Sequence, residues 1–573
     1  MMARAGRPRA PWALVTLCFV AACLGALAPA APASASLASM GYSILRLFDR
    51  ADVVRHDITA WIDPAQGTAR FEDDVTFLIA GRRDTIHVMI NSGARLERVV
   101  DPATGIDLRF SPALNLASLP FTVYRIHLPE AASGERTVRF AWSLARGEMG
   151  LGDPFVNARY FYAGYPSFWY PQTPAGDFFA FRVRIHAPPG MRAFADGLEE
   201  EGEGGAALFR SEAPADRLGV GVGLFQVERW TLEGIPWAAE AGRPDPASVR
   251  LEVWRPSGGA AALGSIADEV AFHVKESLRF YTERLGPLPI SVHRVVEMPF
   301  VFPASYPSAS TLVYGGNLRY LGLDDETGPA ILAAHETGHK WLGGVAGVMP
   351  LGSAWFAEGL VEYLAHAALS ASMPPEWLAA VWRGRVYDPF AAEERPGQGR
   401  SLAAIEVIDG DSHRLYEKGA LLFSMLHRRL GDEAFYAAIR AYIERFRARH
   451  GTARDFEAIV RELAPPSERA ALGRFFDDWA RGTGVLDYAL EVRGPAQDTD
   501  GYWLTLTVES RGDLSEPGAV DVEVRLEDGS GQRVAVELGR PARVAFLSRP
   551  VAAVLDPDLR LADANPQNNR WPD

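Results

Sequence analysis

In the stretch ILAAHETGHKWLG, Ile331–Gly343, two of the chain's 12 histidines stand four apart, His335 and His339, with Glu336 between them. On a helix, residues four apart lie one turn apart on the same face, so the two imidazoles can grip one cation. Glu336, one residue further round, flanks that cation and can take a proton from an attacking water. Thr327 and Pro329 suit a helix start, and Ile331, Ala334, His335, Gly338, His339 and Leu342 would share one side. Gly338 costs such a helix about 1 kcal/mol relative to alanine, which makes sense if another element must come close there. The pattern is short, and a packing helix whose histidines are merely hydrogen-bonded would look the same.

One helix supplies two ligands, whereas a catalytic zinc takes three from protein and leaves a position open. The third is offered by SAWFAEGLVEYLAHAAL, where Ser353 can cap a helix and Glu358 lies on its first turn, with eighteen residues between it and His339. That interval holds a helix end, the loop GVAGVMPLGS and the start of a second helix. A carboxylate at a helix start is ordinary by itself, since the macrodipole favours it. The two patterns together point to a metal site. Glu362, one turn after Glu358, reads either as a group orienting a ligand histidine or as part of a solvated face. Hydrolysis at a carbonyl also needs a donor for the oxyanion. Tyr416 in LYEKGALLF can donate without ionising, although taken alone it reads as a core aromatic. His366 and His413 read as surface or core histidines.

These residues need a scaffold, and the chain is long enough for several cores at 573 residues. From Asp52 to Val227 the signals are those of strands: DITAWI and FFAFRVRIHA alternate apolar and polar residues, with Phe181, Val183 and Ile185 on one face. Tyr160, Tyr162, Trp169 and Tyr170 read as the core of this β domain, and Leu198–Gly205 (LEEEGEGG) as a solvated hairpin tip. SIADEVAFHVKESLRFYTERLG then turns helical, as does nearly everything from Pro329 to Arg481, with ISVHRVVEMP and STLVYGG as strands between. After WARGTG the alternation returns: Val520, Val522, Val524 and Leu526 alternate with charges, as in a small β-sandwich.

The net charge of −14 excludes nucleic acid and anionic membrane surfaces as partners, since those recruit basic patches. MMARAGRPRA followed by WALVTLCFVAACLGAL, with ASA at Ala33–Ala35, reads as a cleavable leader over residues 1–35. Losing its three arginines would take the charge from −14 to −17. VAAC at Val20–Cys23 resembles a lipoprotein box, which would anchor the protein through Cys23 instead. Both cysteines, Cys18 and Cys23, lie in this segment, so the mature chain offers no thiol nucleophile unless Cys23 is kept. No later stretch is long and apolar enough to cross a bilayer.

HETGHKW, WFAEG and YEKG together resemble the gluzincin metallopeptidases of the aminopeptidase N family, which carry HExxH, then eighteen residues, then Glu in W-x-x-E-G, and a downstream Y-E-K-G tyrosine. FWYPQTPAGDFFAFRVRIHAPPGM, FFDDWARGTG and VLDPDLRLADANPQNN resemble stretches in the family's β domain, helical end and closing strands. The resemblance implies one zinc ion held by His335, His339 and Glu358, Glu336 as general base and Tyr416 as transition-state stabiliser. It departs at one point. The family's G-x-M-E-N motif, whose glutamate holds a substrate's α-amine, corresponds to FPASYPSASTLVYGG, Phe302–Gly316, which contains no acid. Glu297 lies just upstream.

The expectation is therefore a multidomain α+β protein: leader 1–35, N-terminal all-β domain 36–227, thermolysin-like zinc peptidase domain with a mostly helical second half 228–485, and C-terminal β-sandwich 486–573. The expected function is an exported zinc metallopeptidase, acting on peptides or proteins, aminopeptidase-like with altered N-terminus recognition and with internal cleavage open to it. The alternative is a non-catalytic peptide-binding scaffold that keeps the fold.

Overall fold

The computed structural model describes residues 51–572 except 116–118, 146–154, 174–175, 238–247, 258–264, 300–304, 309, 316–326, 350–351, 396, 398, 406–412, 500 and 517. The expected leader, with Cys18 and Cys23, lies outside the described residues, as do positions 302–304, 309 and 316 of the acid-free stretch. The protein is a multidomain chain with an N-terminal β domain, a helical second half and C-terminal strands.

Alternation builds the first sheet. In Ala51–Asp63, Ile58, Ala60 and Ile62 are buried while Asp57 and Trp61 face outward. This strand pairs antiparallel with Thr68–Asn91 and parallel with Ala180–His186, inside a nine-stranded sheet. A smaller sheet joins Arg192–Ala195, Val220–Gly223, Tyr160–Ala163 and Phe155–Val156. Trp142 and Trp169, both fully buried in the core, place their indole N–H groups on the carbonyls of Trp169 and Leu218, each at 3.0 Å.

A five-stranded sheet follows, ordered Phe225–Glu233, Ser248–Pro256, Val292–Met298, Thr311–Gly315 and Ser305–Pro307. Val292–Met298 is buried at every position, as a strand with parallel neighbours on both sides must be. Ser305–Pro307 is the outermost strand and runs antiparallel to its neighbour. The helix Ala267–Leu285 packs against the helix Thr327–Gly338, and the Tyr281 hydroxyl donates to the Ala334 carbonyl at 3.1 Å.

The helical half contains Ala354–Leu369, Pro375–Trp382, Asp388–Glu393, His413–Arg445, Ala453–Leu463 and Arg469–Phe476. Helix Ala453–Leu463 starts with a capping box between Thr452 and Asp455. Ser353 stands at the cap position of Ala354–Leu369, but its hydroxyl accepts from the Ala453 N–H at 3.0 Å and caps no N–H of its own helix. It ties two helices together instead. The long helix His413–Arg445 is interrupted at Gly431, whose φ of 74° only glycine adopts at ease. Beyond it, a three-stranded and a four-stranded sheet carry the C-terminal strands, with Val520, Val522, Val524 and Leu526 buried as their alternation requires.

The described chain forms two compact units: residues up to 349 with Arg440–Gly451, and the residues from Gly352 onward including 413–439. Within the second, helices Ala354–Leu369 and His413–Arg445 touch backbone to backbone at Gly359 and Gly419. A Cβ on Gly359 would lie 2.6 Å from the Gly419 Cα and 2.9 Å from the Leu415 carbonyl oxygen. Helix propensity alone would favour Gly359→Ala by about 1 kcal/mol. No rotamer can relieve a clash with backbone, so the expected net effect is a loss of about 1–3 kcal/mol. It would be read as a lower thermal midpoint; an unchanged midpoint would show that the crossing yields.

Candidate metal centre

The helix Thr327–Gly338 ends one residue before His339, earlier than its spacing predicts. His339 keeps the helical step all the same, because its N–H still bonds the His335 carbonyl at 3.3 Å. The chain then tightens, with Trp341 and Leu342 both donating to the Gly338 carbonyl. The Leu342 carbonyl, brought back by that turn, lies 3.1 Å from His339 Nδ1. Nδ1 therefore carries the proton and donates, which leaves a lone pair on Nε2. That Nε2 faces the Nε2 of His335 at 3.1 Å.

Glu358 completes the group: one ligand atom from each of His335, His339 and Glu358 lies within 4.8 Å of the others. The histidines are 8% and 9% exposed, so the pair is shielded from water. Two imidazole nitrogens and a carboxylate oxygen match the three-ligand donor set of a catalytic zinc. The residues fit the ion. Glu336, which follows His335 on the helix, is equally buried, at 8% exposure. Tyr416 lies partly buried on the first turns of the helix His413–Arg445, three residues before the glycine of the close crossing.

Glu362 is buried, which removes the solvated-face reading; its Oε1 lies 3.7 Å from His366 Nε2 and 3.6 Å from an Arg385 guanidinium nitrogen. His366 is buried edge-on against Trp382. His413 is partly exposed and paired with Glu393 at 2.7 Å. Glu297 is buried on its strand and accepts from the Ser265 hydroxyl at 2.6 Å, beside the start of the helix Ala267–Leu285. Tyr160, Tyr162, Trp169 and Tyr170 are core residues.

Two residues escaped the sequence reading. Lys340, directly after His339, is fully buried; burial pushes its ammonium down to about 8, against the pull of Asp196 and then Glu336. Asp196, from the N-terminal β domain, is 2% exposed. The only signal was a lysine inside an otherwise apolar turn; nothing local pointed to its distant partner.

Residues 321–479, which hold all five site residues, match the peptidase family M1 domain. Aminopeptidase N of Lactococcus lactis subsp. lactis is 24% identical over 237 residues, covering 39% of this chain and 27% of that protein. Aminopeptidase M1-A of Oryza sativa subsp. japonica is 24% identical over 259 residues, 42% of this chain and 27% of that protein. The chain thus spans 27% of the length of each of these relatives. Among solved structures, an M1 zinc metallopeptidase from Deinococcus radiodurans superposes with a TM-score of 0.58 at 19% identity, covering 76% of this chain and 94% of that one.

Proposed function

We propose that the chain, whose residues 321–479 match the peptidase family M1 domain, is an exported zinc metallopeptidase of the aminopeptidase N type with altered recognition of the substrate N-terminus. The observation that carries the activity is the convergence of His335, His339 and Glu358 around one position, with Glu336 between the histidines. His335, His339 and Glu358 would hold the ion, which when bound would supply Lewis acidity at the site. Glu336 takes the proton from that water and delivers it to the leaving amine. Tyr416 donates its hydroxyl proton in a hydrogen bond to the developing oxyanion. The outermost strand, Ser305–Pro307, borders the helix of His335, and its outer edge offers main-chain groups to an extended peptide. The leader over residues 1–35 carries the proposal of export.

Altered recognition rests on where the nearby carboxylates are spent. Glu297 is engaged by Ser265, and the strand that follows contains no acid. A substrate's α-ammonium therefore has no evident partner in that stretch, and a blocked N-terminus carries no penalty. The test is mass spectrometry of products from one peptide offered with free and with acetylated N-terminus, zinc-loaded wild type beside Glu336→Ala. Both forms should be cut by the wild type. Stepwise trimming of the free form alone would overturn altered recognition; no product from either would overturn the peptidase and favour a scaffold.

A further inference from the structure

Ser308, at the turn joining Ser305–Pro307 to Thr311–Gly315, is gripped by two opposite charges from different parts of the fold. From just past the histidine helix, Lys340 Nζ donates to the Ser308 carbonyl at 3.4 Å. From the end of the strand Arg192–Ala195, Asp196 accepts from the Ser308 hydroxyl, from the Ser310 hydroxyl at 3.0 Å and from the Gly219 N–H at 2.8 Å. The Gly197 N–H donates to the Ser310 hydroxyl at 2.8 Å. The turn closes on itself through Ser308 N–H to the Thr311 carbonyl at 2.8 Å and Thr311 N–H to the Ser308 hydroxyl at 3.1 Å.

Charges this deeply buried are costly unless they are paired or hydrogen-bonded, and both of these bond to the same residue of the turn, Ser308. Lys340 comes from the segment that carries His339, and the turn carries the outermost strand of the sheet. Their joint effect is to fix that strand's placement against the metal helix. Asp196 is also a carboxylate that reaches the acid-free stretch, and both of its oxygens already accept hydrogen bonds, from the Ser308 and Ser310 hydroxyls and the Gly219 N–H.

We propose that Asp196 and Lys340 are positioning residues that hold the outermost strand in register with the metal helix, so that its outer edge is set for an extended peptide. This rests on the peptidase reading. Asp196→Asn is the primary variant, because Lys340 also faces Glu336 and its loss would disturb the base directly. Zinc-loaded Asp196→Asn should show KM raised about tenfold, the worth of one hydrogen-bonded charge, for free and acetylated peptide alike, with kcat little changed. Dissociation constants measured by titration calorimetry in the Glu336→Ala background should rise by the same factor for both forms. The double variant Ser308→Ala/Ser310→Ala removes the two hydroxyl handles without altering a charge; it should move KM in the same direction and decides the matter if Asp196→Asn does not fold.

A rise confined to the free peptide would make Asp196 an amine anchor and overturn the proposal. So would an unchanged KM in the folded variants, or a fall in kcat at constant KM. If the wild type turns over no peptide, the peptidase reading fails by itself, and the calorimetric comparison still decides on Asp196.

Discussion

Glu336→Ala is expected to yield a folded, zinc-loaded protein whose kcat on peptides falls about 10⁴-fold. Glu336 is not among the three residues whose ligand atoms converge, so its loss leaves the donor set of His335, His339 and Glu358 whole. What disappears is a carboxylate buried to 8% exposure, to which the proposed mechanism gives both acceptance of the proton of the attacking water and its return to the leaving amine. A positioned acid–base group contributes about 10²–10⁴, and one that serves both half-reactions belongs at the upper end. Tyr416→Phe removes only a hydrogen bond to the oxyanion, so its kcat should fall about 10²–10³-fold with KM unchanged. Metal analysis beside steady-state kinetics checks both. Turnover within tenfold of wild type in Glu336→Ala would remove it from the role of base, and loss of zinc in that variant would place it among the ligands.

The candidate ligands, His335, His339 and Glu358, could be picked out from sequence because helix geometry converts a spacing of four into a shared face, and because a second helix had to begin within eighteen residues. The helix end was not readable. Gly338 stops the helix short of His339, and only the return of the Leu342 carbonyl to Nδ1 explains how that imidazole stays aimed. Alternation in Ala51–Asp63 and Ala519–Leu526 gave those strands their faces, since each has one wet side. Val292–Met298 has none, so its burial reflects parallel neighbours far away in the chain. Ser353 shows the same limit: its type and place predict a cap, and tertiary packing spends its hydroxyl on Ala453. The bracket on Ser308 lies further still from sequence, because Asp196 and Lys340 reach that residue only after two sheets and a helix have been assembled. Local rules recover elements and ligands; they do not recover which buried charge answers which.

Removing zinc with a chelator is expected to abolish turnover and lower the thermal midpoint, and zinc rather than magnesium should restore both. The donor set decides the metal: two imidazole nitrogens and one carboxylate oxygen suit zinc, whereas magnesium prefers oxygen ligands and retained waters. The midpoint falls because an ion bound by the native state alone stabilises it by mass action. Glu358→Gln should reproduce this by losing zinc at an unchanged fold, since the neutral amide is a far weaker ligand than the carboxylate. Glu362→Gln, one turn along the same helix, should keep its zinc, because its neighbours include His366 and Arg385 and it stands outside the converging group. Zinc stoichiometry and a thermal scan of the two variants separate these outcomes without any activity measurement. Full occupancy in Glu358→Gln, or equal loss in both, would mean that the third ligand has been misassigned.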